Sequence, residues 1–149
     1  MKYLLKCVIW EFTLQCNLRC SHCGSQAGHA RPDELTTAEC IHLCEDLAAM
    51  NCKEVALMGG EPFLRKDWFL IAQAIKDLGM RLNFVSNGQL IKAVLPELRM
   101  LKPRVVGISI DGMEATHDLI RGKKGAFRQA IESVNLLRQA NIPVTVIST

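Results

Sequence analysis

The sequence predicts an α/β fold built from repeated strand–helix units with parallel strands, and two observations carry that prediction. Short β-branched or apolar runs alternate with longer stretches of helical periodicity four times, before a fifth apolar run ends the chain. Each of the first four strand candidates is followed at its C-terminal end by polar or glycine-rich residues, as expected where parallel strands gather their C-terminal ends on one binding rim.

The strand candidates are Cys7 to Thr13, Glu54 to Met58, Leu82 to Ser86, Val105 to Ile110 and Val144 to Ser148. Between them, apolar stripes at three- and four-residue steps mark four amphipathic helices. The first carries Ile41, Cys44, Leu47 and Ala48, and the second Leu70, Ile71, Ala74, Ile75 and Leu78. Ile91, Val94, Leu95 and Leu98 form the third; Phe127, Ala130, Ile131, Val134 and Leu137 form the fourth. Thr36 with Glu39 reads as a capping box, Gly79 as the end of the second helix, and Asn141 before Pro143 as the end of the fourth. In the fourth strand, Val106, Ile108 and Ile110 should face the helices, leaving Gly107, Ser109 and Asp111 to face the interior. No linker or low-complexity tract divides residues 1–149, which read as one domain.

With 49% hydrophobic and 22% charged residues the chain can bury a core, which excludes a disordered protein. A net charge of +3 is mild, and the basic run Arg121-Gly122-Lys123-Lys124 lacks interleaved aromatics, so it reads as a solvated loop and no nucleic-acid partner is expected. No stretch has the apolar length to cross a membrane. The start, Met1 to Lys6, has a charged beginning like a signal peptide, but Lys6 and Glu11 interrupt any apolar region. A cytoplasmic protein is expected. Seven cysteines, an odd number, argue against a fully paired disulfide framework and for metal or redox roles of clustered thiols.

The cluster is Cys16, Cys20 and Cys23, spaced CxxxCxxC. Three thiolates from one turn of chain can hold three irons of a [4Fe–4S] cluster and leave the fourth iron open. Two other readings compete: a structural zinc site completed by His22, and a redox pair of Cys20 and Cys23. The zinc reading lacks a second cysteine pair, and the redox reading leaves Cys16 unexplained. His22, between two ligands, is placed to flank the centre. Cys40 and Cys44 stand four apart on a helix, but Cys44 belongs to the apolar stripe; these two, Cys7 and Cys52 read as packing residues.

Gly59-Gly60-Glu61-Pro62 is either a turn leaving a strand or a ligand site, since two glycines admit close approach to the backbone and a carboxylate suits a cationic amine. Ser86-Asn87-Gly88, Ser109 and Asp111 are weak signals singly and gain weight from sharing the rim. His117, Asp118 and Arg121 are either solvated loop charges or a site in which the guanidinium grips a carboxylate. His29 and His42 read as surface residues.

The ordered set CxxxCxxC, GGEP, SNG and SIDG on successive units resembles the radical S-adenosylmethionine (radical SAM) enzyme superfamily, over nearly the whole chain. Cys23-Gly24-Ser25-Gln26-Ala27-Gly28 and the stretch from Ser109 to Gly122 are similar to the branch with a SPASM-type C-terminal extension, whose members mature peptides, modify sulfatases or build cofactors. The resemblance implies a TIM-barrel-like partial (β/α) barrel, with Cys16, Cys20 and Cys23 holding the cluster and S-adenosylmethionine chelating the open iron. It implies that Gly59, Gly60, Glu61 and Pro62 hold the methionyl amine, that Asn87, Ser109 and Arg121 contact ribose or carboxylate, and that Ser86 and Asp111 complete the cofactor site. Reductive cleavage would release a 5′-deoxyadenosyl radical that abstracts hydrogen from a peptide or small-molecule substrate, with flavodoxin or ferredoxin as electron donor. No further catalytic side chain is assignable.

The family barrel has six strands, whereas this sequence supplies five strands and four helices. It therefore reads as the N-terminal piece of a longer enzyme or as a short protein completed by a second chain, and alone it is expected to be marginal or aggregation-prone. The competing functional class is a zinc- or iron-binding structural or regulatory module without turnover.

Overall fold

A computed structural model describes residues 4–149, so the start of the segment weighed above as a leader, Met1 to Tyr3, lies outside the described residues. The expected strands form: β1 (Cys7–Thr13), β2 (Glu54–Gly59), β3 (Arg81–Ser86), β4 (Val105–Ser109) and β5 (Val144–Ile147). They make a five-stranded sheet in the order β1-β2-β3-β4-β5, and every neighbouring pair is parallel. Sequential parallel order with right-handed crossovers places the helices on one side and curls the sheet toward a barrel.

The covering helices are α1 (Thr37–Ala49), α2 (Trp68–Asp77), α3 (Ile91–Leu101) and α5 (Ala126–Gln139). The core lies between them and the sheet. Val55, Leu57, Leu82, Phe84, Val106 and Ile108 are fully or almost fully buried there, facing Cys44, Ile71, Ile75, Leu98 and Leu137. Each such large side chain contributes about 1.5–3 kcal/mol by burial. Phe63, Trp68 and Phe84 add an aromatic cluster with ring centroids 4.9–5.8 Å apart. Val106 and Ile108 face the helices as their alternation predicts, while Gly107 lies beneath Ile147 on the other face.

Helix ends follow local chemistry. The Thr36 hydroxyl accepts from the Glu39 N–H at 3.3 Å and the Glu39 carboxylate accepts from the Thr36 N–H at 2.8 Å, a complete capping box. Gly79 (φ 77°) and Asn141 (φ 56°) end α2 and α5 in the left-handed conformation, and Asn51 (φ 61°) does the same for α1. In each case the next residue bonds back into the helix: Cys52 N–H to Leu47 O, Met80 N–H to Ile75 O, and Ile142 N–H to Leu137 O. Cys52, Met80 and Ile142 are all buried, the hydrophobic contact that accompanies this turn.

One helix is absent from the sequence reading. α4 (Glu114–Arg121) precedes α5, and its buried residues are His117 and Arg121. It lacks an apolar stripe because the side chains it turns inward at i and i+4 are polar, so periodicity could not reveal it. The alternative of a solvated loop for His117 and Arg121 is thereby corrected. Lys123 and Lys124, just beyond, are exposed. Among the described residues no helix is long and apolar enough to cross a membrane.

Candidate functional site

At the C-terminal rim of the sheet lies a cavity of about 390 Å3. Cys16, Cys20 and Cys23 line one wall, Gly59 and Gly60 the exit of β2, Ser86 and Asn87 the exit of β3, and Ser109 the end of β4, with Arg121 of α4 closing the side. Nine of the twelve residues expected here from the sequence therefore meet in one place.

The cysteine loop is held at both ends. At its neck Gly28 N–H donates to Leu14 O (2.8 Å) and Cys16 N–H to Gly28 O (3.1 Å). On its far side Ser21 N–H donates to Ile120 O of α4 (2.8 Å), and a Cβ on Gly122 would stand 2.7 Å from Arg19 O, so glycine permits this contact. The segment between the loop and α1 is tied down by Glu34, which accepts from Thr13 Oγ1 (3.0 Å), Leu14 N–H (2.7 Å) and Arg31 N–H (3.1 Å). Buried Arg65 adds bonds to Phe12 O (3.0 Å) and Asp67 (2.7 Å). The sequence assigns neither Glu34 nor Arg65 this role, because the β1-exit groups they hold, Thr13, Leu14 and Phe12, are distant in sequence.

The motif thiols differ in kind from Cys40 and Cys52, while Cys7, expected as a packing residue, is instead exposed at the start of the edge strand β1. Each sulfur of the motif accepts N–H donors: Cys16 from Leu18 N–H (3.5 Å) and Asn87 Nδ2 (3.8 Å), Cys20 from Arg121 Nη1 (3.6 Å), and Cys23 from Ala27 N–H (3.3 Å). Cys40 and Cys52 instead donate, to Leu35 O (3.7 Å) and Glu54 O (3.3 Å). Acceptor geometry suits thiolates and donor geometry suits neutral thiols. Burial pushes the Cys44 thiol up to about 11, and it raises Cys16 too, where the Leu18 N–H offsets part of the effect.

Among the described residues no three His, Cys, Asp or Glu side chains come close enough together to hold a single metal ion. A tetrahedral zinc would need sulfurs within about 4 Å of one another. Three thiols that border one cavity without converging on a single ion, each with its own N–H donor, instead fit a polynuclear iron–sulfur cluster.

Three expected residues stand apart from the cavity wall. Glu61 is fully buried, and its carboxylate accepts from Ser86 Oγ (2.9 Å) and Asn87 N–H (2.8 Å). It braces the exit of β3 rather than reaching for a cation. Burial pushes its carboxyl up to about 7 against those two hydrogen bonds. Pro62 opens a buried single turn of 3-10 helix, Pro62–Leu64, its fixed φ suiting the first position. The Asp111 side chain is shielded from solvent beneath the rim, where one oxygen, Oδ2, meets Arg121 Nε at 2.7 Å and His22 Nε2 at 3.4 Å.

The glycines also have a reason other than ligand approach. A Cβ on Gly59 would lie 2.1 Å from Thr13 O, and one on Gly60 would lie 2.2 Å from Gln15 O. Their bareness lets the exits of β1 and β2 run side by side, joined by Gly60 N–H to Thr13 O (2.8 Å) and Glu61 N–H to Gln15 O (2.7 Å). Asn87 ties the far exit to the loop through Asn17 Oδ1 (2.8 Å). His22, Met58 and Ile147 are also among the lining residues. Of these, only His22 had a sequence signal, its place inside the cysteine motif.

Residues 10–149 match the model of the Radical SAM superfamily. The chain is 37% identical over 145 residues to an AdoMet-dependent heme synthase of Methanosarcina barkeri, covering 95% of this chain and 42% of that protein. It is 37% identical over 140 residues to the sporulation killing factor maturation protein SkfB of Bacillus subtilis, covering 93% of this chain and 34% of that protein. Among solved structures, Streptococcus suis SuiB bound to S-adenosylmethionine superposes with a TM-score of 0.82 at 18% identity, over 97% of this chain and 33% of that one. The chain thus spans about a third to two fifths of the length of the relatives it matches.

Proposed function

This chain belongs to the radical SAM superfamily, whose cofactors are a [4Fe–4S] cluster and S-adenosylmethionine, and we propose that its rim cavity binds both and carries out reductive cleavage of S-adenosylmethionine. The observation that supports this best is the N–H donor set on the three motif sulfurs, which the structural thiols lack.

Cys16, Cys20 and Cys23 would hold the cluster. Bound there, it supplies an open iron for the amino and carboxylate groups of S-adenosylmethionine and the electron that cleaves its sulfonium C–S bond, leading to hydrogen abstraction from a substrate. The remaining tasks belong to the chain. The backbone at Gly59 and Gly60 borders the cavity beside the cysteine loop, where its polar groups can receive the methionyl amine. Ser109 at the end of β4 lines the same cavity and its hydroxyl suits ribose or carboxylate oxygens, while Arg121 adds a guanidinium suited to a carboxylate. Glu61 fixes Ser86 and Asn87, and Asn87 in turn fixes Asn17 and Cys16, so the β3 exit and the cysteine loop keep one geometry.

Peptide or protein modification, or maturation of a cofactor, is the reaction class we assign to this chain's chemistry. Relatives named for maturing a killing factor and for synthesising haem support it. The electron donor would be a small redox protein such as flavodoxin or ferredoxin. Anaerobic reconstitution with iron and sulfide tests the proposal. A brown protein that converts S-adenosylmethionine to methionine and 5′-deoxyadenosine under reducing conditions is expected; stoichiometric zinc without cleavage would establish a non-catalytic metal module instead.

A further inference from the structure

We propose that Asp111 is a positioning residue, whose buried carboxylate holds the Arg121 guanidinium against Cys20 Sγ and thereby sets the reduction potential of the cluster that Cys20 would hold. The inference rests on the assignment of the three cysteines as cluster ligands.

Asp111 follows β4, and its side chain is entirely shielded from solvent. An isolated carboxylate in such a place costs several kcal/mol, so it persists only with cationic or N–H partners around it. Three segments supply them. Arg121 Nε of α4 lies 2.7 Å from Oδ2, His22 Nε2 of the cysteine loop lies 3.4 Å from the same oxygen, and Thr149 N–H lies 3.4 Å from Oδ1. The Arg121 contact is an ion pair whose angle falls short of a directed hydrogen bond, and no other acceptor engages Nε. The Asp111 backbone N–H donates to His117 Nδ1 (3.2 Å), so the carboxylate is fixed from its own main chain as well.

With Nε gripped by Asp111, the other end of the guanidinium is aimed. Nη1 stands 3.6 Å from Cys20 Sγ, on a side chain almost wholly buried. A charged N–H donor on a ligand sulfur stabilises the more negative, reduced cluster and raises its potential. Arginine suits the task because its rigid fork can meet the carboxylate at one nitrogen and the sulfur at another; lysine has a single ammonium and cannot.

The test is an EPR-monitored redox titration of the reconstituted chain, comparing the parent with Asp111→Asn, Arg121→Met and the double variant. Asp111→Asn is diagnostic because its two possible effects have opposite signs. Losing a negative charge beside an undisturbed Arg121 would move the midpoint potential positive, whereas losing the aim of Arg121 moves it negative. We expect a negative shift in both single variants, and in the double a potential no more negative than that of Arg121→Met. A positive shift in Asp111→Asn, an unchanged potential, or additive shifts would overturn the inference. Should Asp111→Asn not fold, Arg121→Lys keeps the charge but not the fork; a negative shift is again expected, and an unchanged potential overturns the inference. A parent chain that takes up no cluster overturns the ligand assignment and this inference together, whereas a cluster indifferent to Asp111 and Arg121 overturns the inference alone.

Discussion

The two rims of the sheet are built by different means. At the N-terminal rim, each of three helices stops with a left-handed residue, Asn51, Gly79 or Asn141, and a buried hydrophobic residue directly after it. Every bond in those turns spans a few residues. At the C-terminal rim the polar groups find partners far along the chain: Glu61 with Asn87, Asn87 with Asn17, Cys20 with Arg121, Ser21 with Ile120. The helix stops of one rim follow local rules, even though Glu54 there pairs across the strands with Arg81 and Arg104; the other rim is assembled by the whole fold and holds the cavity. A site whose members come from four strands depends on each of them, so small changes there should cost more than similar changes opposite.

The largest contrast is among the cysteines. Cys16→Ala, Cys20→Ala or Cys23→Ala should each abolish cluster uptake, measured as bound iron and sulfide, while Cys40→Ala should leave uptake intact and lower only thermal stability. Glycines give the next. Gly60→Ala would push a methyl group into Gln15 O and should cost about 3 kcal/mol or more in chemical denaturation. Gly79→Ala, with φ 77° but open space around it, should cost about 1 kcal/mol.

Glu61 tests the long-range bracing through pH. Burial raises its carboxyl in the folded state to about 7 from an ordinary 4.5, so the folded chain binds the proton more tightly than the unfolded one. The stability that proton contributes is full below about pH 4.5 and is lost as pH rises through about 7. Glu61→Gln cannot ionise and should remove that part of the slope in stability measured from pH 4.5 to 7, leaving the contributions of other groups. The smallest effect belongs to a local device: Thr36→Ala removes the capping box and should cost about 1 kcal/mol by thermal melting, with no change in cluster uptake.

The same division explains what the sequence could reveal. Strands and the four amphipathic helices are legible because their periodicity is written in neighbouring residues, and the capping box and the turns at Gly79 and Asn141 because each is a short motif. The cysteine motif was legible for the same reason. Glu61 looks available in the sequence as a carboxylate beside two glycines, and only the fold shows that Ser86 and Asn87 engage it. The glycines were found for a related but incomplete reason: their neighbours in space, Thr13 and Gln15, lie over forty residues away. α4 escaped notice because its inward side chains, His117 and Arg121, are polar, and their partners Asp111 and Cys20 become visible only when β4 and the cysteine loop are brought to one rim.

On the proposed function, the three motif thiols, and not the other four, hold one [4Fe–4S] cluster with an iron open to S-adenosylmethionine. EPR of the reduced, reconstituted chain, recorded before and after adding S-adenosylmethionine, tests it most directly. A [4Fe–4S] signal that changes when S-adenosylmethionine is added, and is absent from the Cys20→Ala variant, is the predicted result; a signal that ignores S-adenosylmethionine, or that survives loss of Cys20, would contradict it.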